Sequence, residues 1–249
     1  MENNLADLID LVPDLCEDLL SAVDQPLKVA TDPDSGKEYL LCDYNRDGDS
    51  YRSPWSNKYF EPELDDGALP SDRLRSMEVV ANEVFDLYRA QYYEDGSVSS
   101  AYFWNLDTGF AACVLFNKTG VDAGTWDAIH VVEVTEGEAG KPSHYKLTTT
   151  IILSLNHTSK GAGDNKVAGH LTRQQELDAV ADDKKPHLVH IGTMIEDMEL
   201  KMRNALDLIY FGKTKEITSG LRKAVGVAEA SKRGNMQGLL MAEMAKKRG

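Results

Sequence analysis

Apolar residues near the start of the chain recur at steps of three and four: Leu5, Leu8, Ile9, Val12, Leu15, Leu19 and Leu20. That period predicts a helix. Pro13 divides it in two, because proline is easy at a helix start and costly inside one. From Thr31 to Pro70 the period is lost. Gly, Pro and Asp there predict irregular chain, interrupted by the apolar run Tyr39–Cys42. Ser71, after Pro70, predicts the N-cap of a helix to about Tyr92, with Leu74, Met77, Ala81, Val84 and Tyr88 on one face.

The pattern then changes. Ala101–Leu106, Phe110–Phe116, Trp126–Val134 and Tyr145–Leu155 are rich in β-branched and aromatic residues, and turn residues separate them. The short Asp107-Thr108-Gly109 link predicts a hairpin. Strands joined by short turns favour an antiparallel sheet. Lys160–Lys166 is expected to be a loop leading to a last strand at Val167–Leu171. From His187 to about Phe211 the residues Leu188, Ile191, Ile195, Met198, Met202, Ala205 and Ile209 form the buried stripe of a helix lying on the sheet.

The chain ends in a basic helical stretch. Met236, Leu239, Leu240 and Met244 make one apolar stripe, followed by Lys246, Lys247 and Arg248. Such a stripe fits a last helix docked on its own core. It fits equally a mobile amphipathic helix on the weakly apolar tether Gly226–Gly234, with methionines suited to a partner's groove.

Charge sharpens this division. The net charge is −14. From Arg222 onward, seven Lys/Arg stand against Glu229 and Glu243, a local balance of +5 that leaves −19 on residues 1–221. An acidic body repels nucleic acid and anionic lipid, while a basic tail suits an acidic partner. Three widely spaced cysteines, Cys16, Cys42 and Cys113, predict reduced cytosolic thiols. The acidic, polar opening Met1-Glu2-Asn3-Asn4 does not have the form of a signal peptide.

Catalytic and metal motifs fail on inspection. Asp43-x-Asn45-x-Asp47-Gly48-Asp49 matches half of a calcium loop, but its twelfth position is Pro54, so side-chain to backbone turns are expected there. Gly212-Lys213-Thr214 has Asp207 where a phosphate loop needs glycine. His187 and His190 have zinc-like spacing with no cysteine nearby and are expected to be structural. No catalytic residue, metal or cofactor is expected; a metal-dependent enzyme built on the two histidines is the outlying alternative.

The segment Tyr39–Tyr59, with Asp7–Lys28, Trp126–Val134, His144–Thr148, Leu171–Gln174, Tyr210–Lys215 and Gly220–Arg222, closely resembles the β subunits of heterodimeric actin-capping proteins. The likeness spans nearly the whole chain. It implies an α+β fold in three stretches: a helical stalk plus irregular small-strand region at 1–92, an antiparallel sheet covered by one long helix at 93–221, and a basic amphipathic tentacle helix at 222–249. It also implies an obligate heterodimer with a homologous alpha subunit, the two sheets joining into one. The implied function is a cytoplasmic, cytoskeletal cap that blocks monomer addition and loss at filament barbed ends. Capping an actin-related minifilament in a dynactin-like complex is the alternative. Capping-protein regulators and phosphoinositides are further implied partners, with no residues assigned. By position, Arg222 and Lys223 fall in the family's basic actin-binding patch and Met236, Leu240 and Met244 at its tentacle leucine spacing, while Leu239 is added from the local stripe. The family pattern has about another turn or more of helix before Asn4, and the tail after Lys223 matches it poorly.

Overall fold

The computed structural model describes residues 26–93, 96–119, 124–138, 140–159 and 163–206, with backbone alone at 155–159, 163–168 and 206. The predicted N-terminal helix, the predicted continuation to Phe211 and the basic tail lie outside the described residues. The chain divides into two compact units, Met1–Met198 and Glu199–Gly249. Within the described part of the second, Arg203 Nη2 donates to Glu199 Oε2 at 3.2 Å.

The first unit is built on a five-stranded antiparallel sheet of order β10-β9-β8-β7-β6. Its strands are β6 (Ser97–Leu106), β7 (Gly109–Thr119), β8 (Gly124–Thr135), β9 (Ser143–Ser159) and β10 (Gly163–Ala179). The four strands expected from residue type are present and longer than predicted. The hairpin turns through Asp107-Thr108. A Cβ on Gly109 would stand 2.0 Å from the Val134 carbonyl oxygen, so β8 can approach only glycine there.

The largest difference is β10. The expected five residues at Val167–Leu171 are 17, in unbroken register with β9 from Gly163↔Ser159 to Ala179↔Ser143. Arg173, Gln174, Gln175, Glu176 and Asp178 disfavour a strand by type, and part of the predicted loop belongs to it. Pairing with a long neighbour overrides that preference, and polar side chains suit a solvent-facing edge.

Residues 28–60 are also more regular than expected. A two-stranded ribbon pairs β1 (Lys28–Thr31) with β2 (Glu38–Leu41). A three-stranded sheet of order β3-β4-β5 joins Arg46–Asp47, Ser50–Arg52 and Tyr59–Phe60. These strands of two to four residues are too short to show an alternating pattern in sequence.

Successive residues of β7 serve two cores. Phe110, Ala112, Val114 and Phe116 face the helical side. There Phe116 meets Phe85, Tyr88 and Tyr93 of helix α1 (Asp72–Tyr92) and its C-cap. Phe110 meets His187 at the start of α2 (His187–Leu206). On the opposite side Cys113 and Leu115 join Leu40 and Tyr102, flanked by Leu27, Cys42, Val98, Trp104, Ile129 and Val131. Each large side chain taken out of water contributes about 1.5–3 kcal/mol.

The buried face of α1 is turned from the predicted one. Leu74, Glu78, Ala81, Asn82 and Phe85 are buried, while Val84 is 45% exposed. Hydrophobicity alone passed over Glu78 and Asn82, whose burial depends on partners in other segments. Ser71 does occupy the cap position, but its hydroxyl bonds Asn105 Oδ1 at 3.1 Å and not its own helix. In α2, Ile191, Ile195, Met198 and Met202 are buried as predicted, joined by Met194.

Candidate assembly interface

The six residues expected to bind a filament, Arg222, Lys223, Met236, Leu239, Leu240 and Met244, lie outside the described residues. What the structure displays is how the sheet ends on each side, and how the segment between β1 and β5 is held to it.

At β6 the outer edge is sealed by side chains of α1. Asn82 accepts the Ala101 amide at 2.9 Å and returns Nδ2 to the Ala101 carbonyl at 2.9 Å. Glu78 Oε2 accepts the Phe103 amide at 2.8 Å, and Arg89 Nη1 reaches the Ser97 carbonyl at 3.2 Å. An unpaired strand edge is a template for another strand, and these contacts remove it.

Glu78 also anchors the small strands. Its two oxygens take Arg52 Nη1 and Nη2, each at 2.7 Å, and Oε1 takes Arg75 Nη1 at 2.6 Å. Arg52 spends another N–H on Asn57 and lies over the Tyr102 ring, 5.7 Å from its centroid. Nearby, Asp32 accepts bonds from Asp34 N–H, Ser53 Oγ and Ser56 N–H.

The half calcium motif is occupied by structural bonds of the same kind. Asn45 is buried, accepting the Cys42 amide at 2.9 Å and donating to the Arg52 carbonyl at 2.9 Å, while Asp47 Oδ2 accepts the Ala68 amide at 2.9 Å. These are side-chain to backbone bonds, as the sequence led us to expect. Among the described residues no group of three or more His, Cys, Asp or Glu side chains could hold a metal ion.

His187 is held between Tyr145, whose hydroxyl is 2.8 Å from Nδ1, and Glu136, 3.3 Å from Nε2. The tyrosine, pushed up to about 12 by burial and by Glu136, keeps its proton, and the imidazole tautomer with its proton on Nε2 facing the Glu136 carboxylate is the one that lets Nδ1 accept it. Burial lowers the His187 pKa, against the pull of Glu136. A bidentate contact from Arg73, with Nη1 at 3.0 Å, lowers that of Glu136. His190 Nε2 is 3.2 Å from the Val180 carbonyl. Both histidines therefore tie the start of α2 to neighbouring chain. Because the folded state disfavours His187 protonation, its contribution is complete above the unfolded value of 6.5 and is lost as pH falls through the depressed folded value. Thermal melts should thus show a lower midpoint at about pH 5 than at about pH 7.5, and a smaller difference in H187Q; an equal difference in both would refute this role.

The opposite edge of the sheet is β10. Among the described residues no strand pairs with the outer side of β10. Thr172 Oγ1 lies 2.9 Å from Thr150 Oγ1, and Gln174 Nε2 lies 3.1 Å from Thr148 Oγ1. Such close side-chain pairs mark positions that do not exchange backbone bonds with β9. The Thr172 carbonyl instead takes the Arg173 guanidinium at 3.1 Å. Thr172 and Gln174 therefore present N–H and C=O outward, as an antiparallel partner strand requires.

Comparison with known proteins gives a consistent set. The family model described as "F-actin capping protein, beta subunit" matches residues 1–218. The F-actin-capping protein subunit beta of Drosophila melanogaster is 56% identical over 241 residues, 95% of this chain and 87% of that protein. Those of Dictyostelium discoideum and Caenorhabditis elegans are each 54% identical, covering 95% and 93% of this chain and 88% and 86% of theirs. Among solved structures, the homodimeric actin capping protein alpha subunit of Plasmodium berghei shares the fold, with a TM-score of 0.53 at 16% identity over 88% of each chain.

Proposed function

This chain belongs to the F-actin capping protein beta-subunit family, and from that premise we propose that it closes filament barbed ends as one half of a heterodimer with an alpha subunit of the same fold. Identity of 50–56% to beta subunits across most of the chain carries this reading. The sheet supports it. One edge is sealed by α1 and the other is a 17-residue strand with outward backbone groups, as in half of a larger sheet. The alpha partner is the natural occupant of that edge, since a strand of the same architecture extends the twist and spacing already present.

The tail is the proposed filament contact. Arg222 and Lys223 begin the +5 segment, and Met236, Leu239, Leu240 and Met244 form its apolar stripe. Four such side chains yield roughly 6–12 kcal/mol at full burial. Association costs about 4–15 kcal/mol, and nanomolar capping needs about 12 kcal/mol net. The stripe therefore cannot hold a filament alone, and the basic patch and alpha subunit must add to it. Removing Met236–Gly249 is expected to weaken capping and leave residual, salt-sensitive binding; unchanged affinity would end the tentacle assignment.

The test of the function is elongation of pyrene-labelled actin from seeds, with the chain co-expressed with an alpha subunit. Arrest at nanomolar heterodimer is expected. Normal elongation beside a well-formed heterodimer would mean that the fold is kept and the target has changed.

A further inference from the structure

We propose that Cys42 and Cys113 are a redox-sensitive thiol pair that closes to a disulfide when the protein meets a peroxide.

The pair is brought together by long-range packing. The two cysteines are far apart in sequence, on the chain just after β2 and in the middle of β7. Leu40 in β2 is pinned over the sheet. Its amide donates to Ser100 Oγ at 2.9 Å, and its carbonyl accepts the Tyr102 hydroxyl at 2.7 Å. Cys42, two residues on in extended chain, falls on the same face as Leu40. Tyr102 is the register partner of Cys113. Both thiols thus enter one cluster with Leu40, Tyr102, Leu115 and Trp104, Cys42 packing against the buried group that contains Cys113. Backbone bonds hold the arrangement, since the Cys42 amide is fixed by Asn45 Oδ1 and Cys113 sits inside a fully paired strand.

The two thiols differ in the way an attacked and a resolving cysteine must. Cys42 is half-buried, while Cys113 is buried. Burial pushes the Cys113 thiol well above the ordinary range and keeps it protonated, so Cys42 is the first to react. A peroxide transfers one oxygen to Cys42, giving a sulfenic acid and one water. Cys113 sulfur then attacks Cys42 sulfur. The S–S bond forms, the S–O bond breaks, and the hydroxyl leaves as water with the Cys113 proton. Two thiols and one hydrogen peroxide become one disulfide and two waters, a two-electron oxidation that a small dithiol reverses. The bridge would tie the chain following β2 covalently to the centre of the sheet. This inference rests on the packing of residues 40–113 and not on filament binding.

The test uses the full chain co-expressed with an alpha subunit, carrying Cys16→Ser so that only these two thiols of the chain react. After graded hydrogen peroxide, non-reducing proteolysis and mass spectrometry should give a linked Cys42–Cys113 peptide pair, with both thiols lost together and recovered by dithiothreitol. In Cys113→Val, which keeps the apolar volume, Cys42 should be trapped by dimedone several-fold more than in the parent, because its resolving partner is gone. Equal dimedone labelling in parent and C113V, or Cys42 passing to sulfinic acid while Cys113 stays a free thiol in the folded protein, would overturn the proposal.

Discussion

An E78A variant is expected to lose about 3–5 kcal/mol of folding stability, the cost of stranding a buried charge. The Glu78 side chain is 0% exposed and that of Arg52 is 4% exposed. Removing the carboxylate leaves Arg52 in the interior with the neutral Asn57 oxygen and a tyrosine ring. It also strips the Phe103 amide of its acceptor at the sheet edge. Such a loss is a large share of the roughly 5–15 kcal/mol that holds a domain together. Urea unfolding of the purified protein should show the midpoint falling with an unchanged denaturant slope. The contrast is R73A, which breaks an ion pair whose arginine is 57% exposed and should cost about 0–1 kcal/mol. Equal effects from the two variants would show that Glu78 does not anchor the small strands to α1 and β6.

The second large effect is expected at the β10 edge. Thr172→Pro with Gln174→Pro removes two outward donors of β10 and the side-chain contacts to Thr150 and Thr148, but leaves its backbone bonds to β9 intact, a substitution that edge strands tolerate. If an alpha subunit pairs there, two lost hydrogen bonds at about 0.5–1.5 kcal/mol each predict association weaker by roughly 5- to 150-fold, before any clash of the proline rings. Co-expression with a tagged alpha subunit, followed by dilution and gel filtration, reads this directly. The same exchanges in β6, where Ala101 already spends its amide on Asn82, should damage the fold instead of the assembly. Undiminished heterodimer in the β10 variant would place the partner elsewhere.

Over the described residues, sequence alone determined the helix that begins after Ser71, the run of antiparallel strands and the striped helix that begins at His187. Those features are local. A period of three and four in α2 and β-branched residues in β6 to β9 each act through near neighbours. The stretch Tyr39–Tyr59 carried the family likeness, but the reason for its composition is tertiary. Arg52, Asn45 and Ser53 read as loop residues until Glu78, the Cys42 amide and Asp32 are placed beside them. The turn of the α1 face toward Glu78 and Asn82 has the same cause, since a polar side chain is buried only where distant partners repay its desolvation. The length of β10 follows from its register with β9, and the meeting of Cys42 with Cys113 from the pinning of β2 across the sheet. Sequence determined α1, α2 and the strands β6 to β9, because those choices are made within a few residues; tertiary structure alone decided the short strands β1 to β5, the length of β10, and which sheet edge is closed by side chains and which carries no further strand among the described residues, because those depend on groups far apart in the chain arriving at the same backbone.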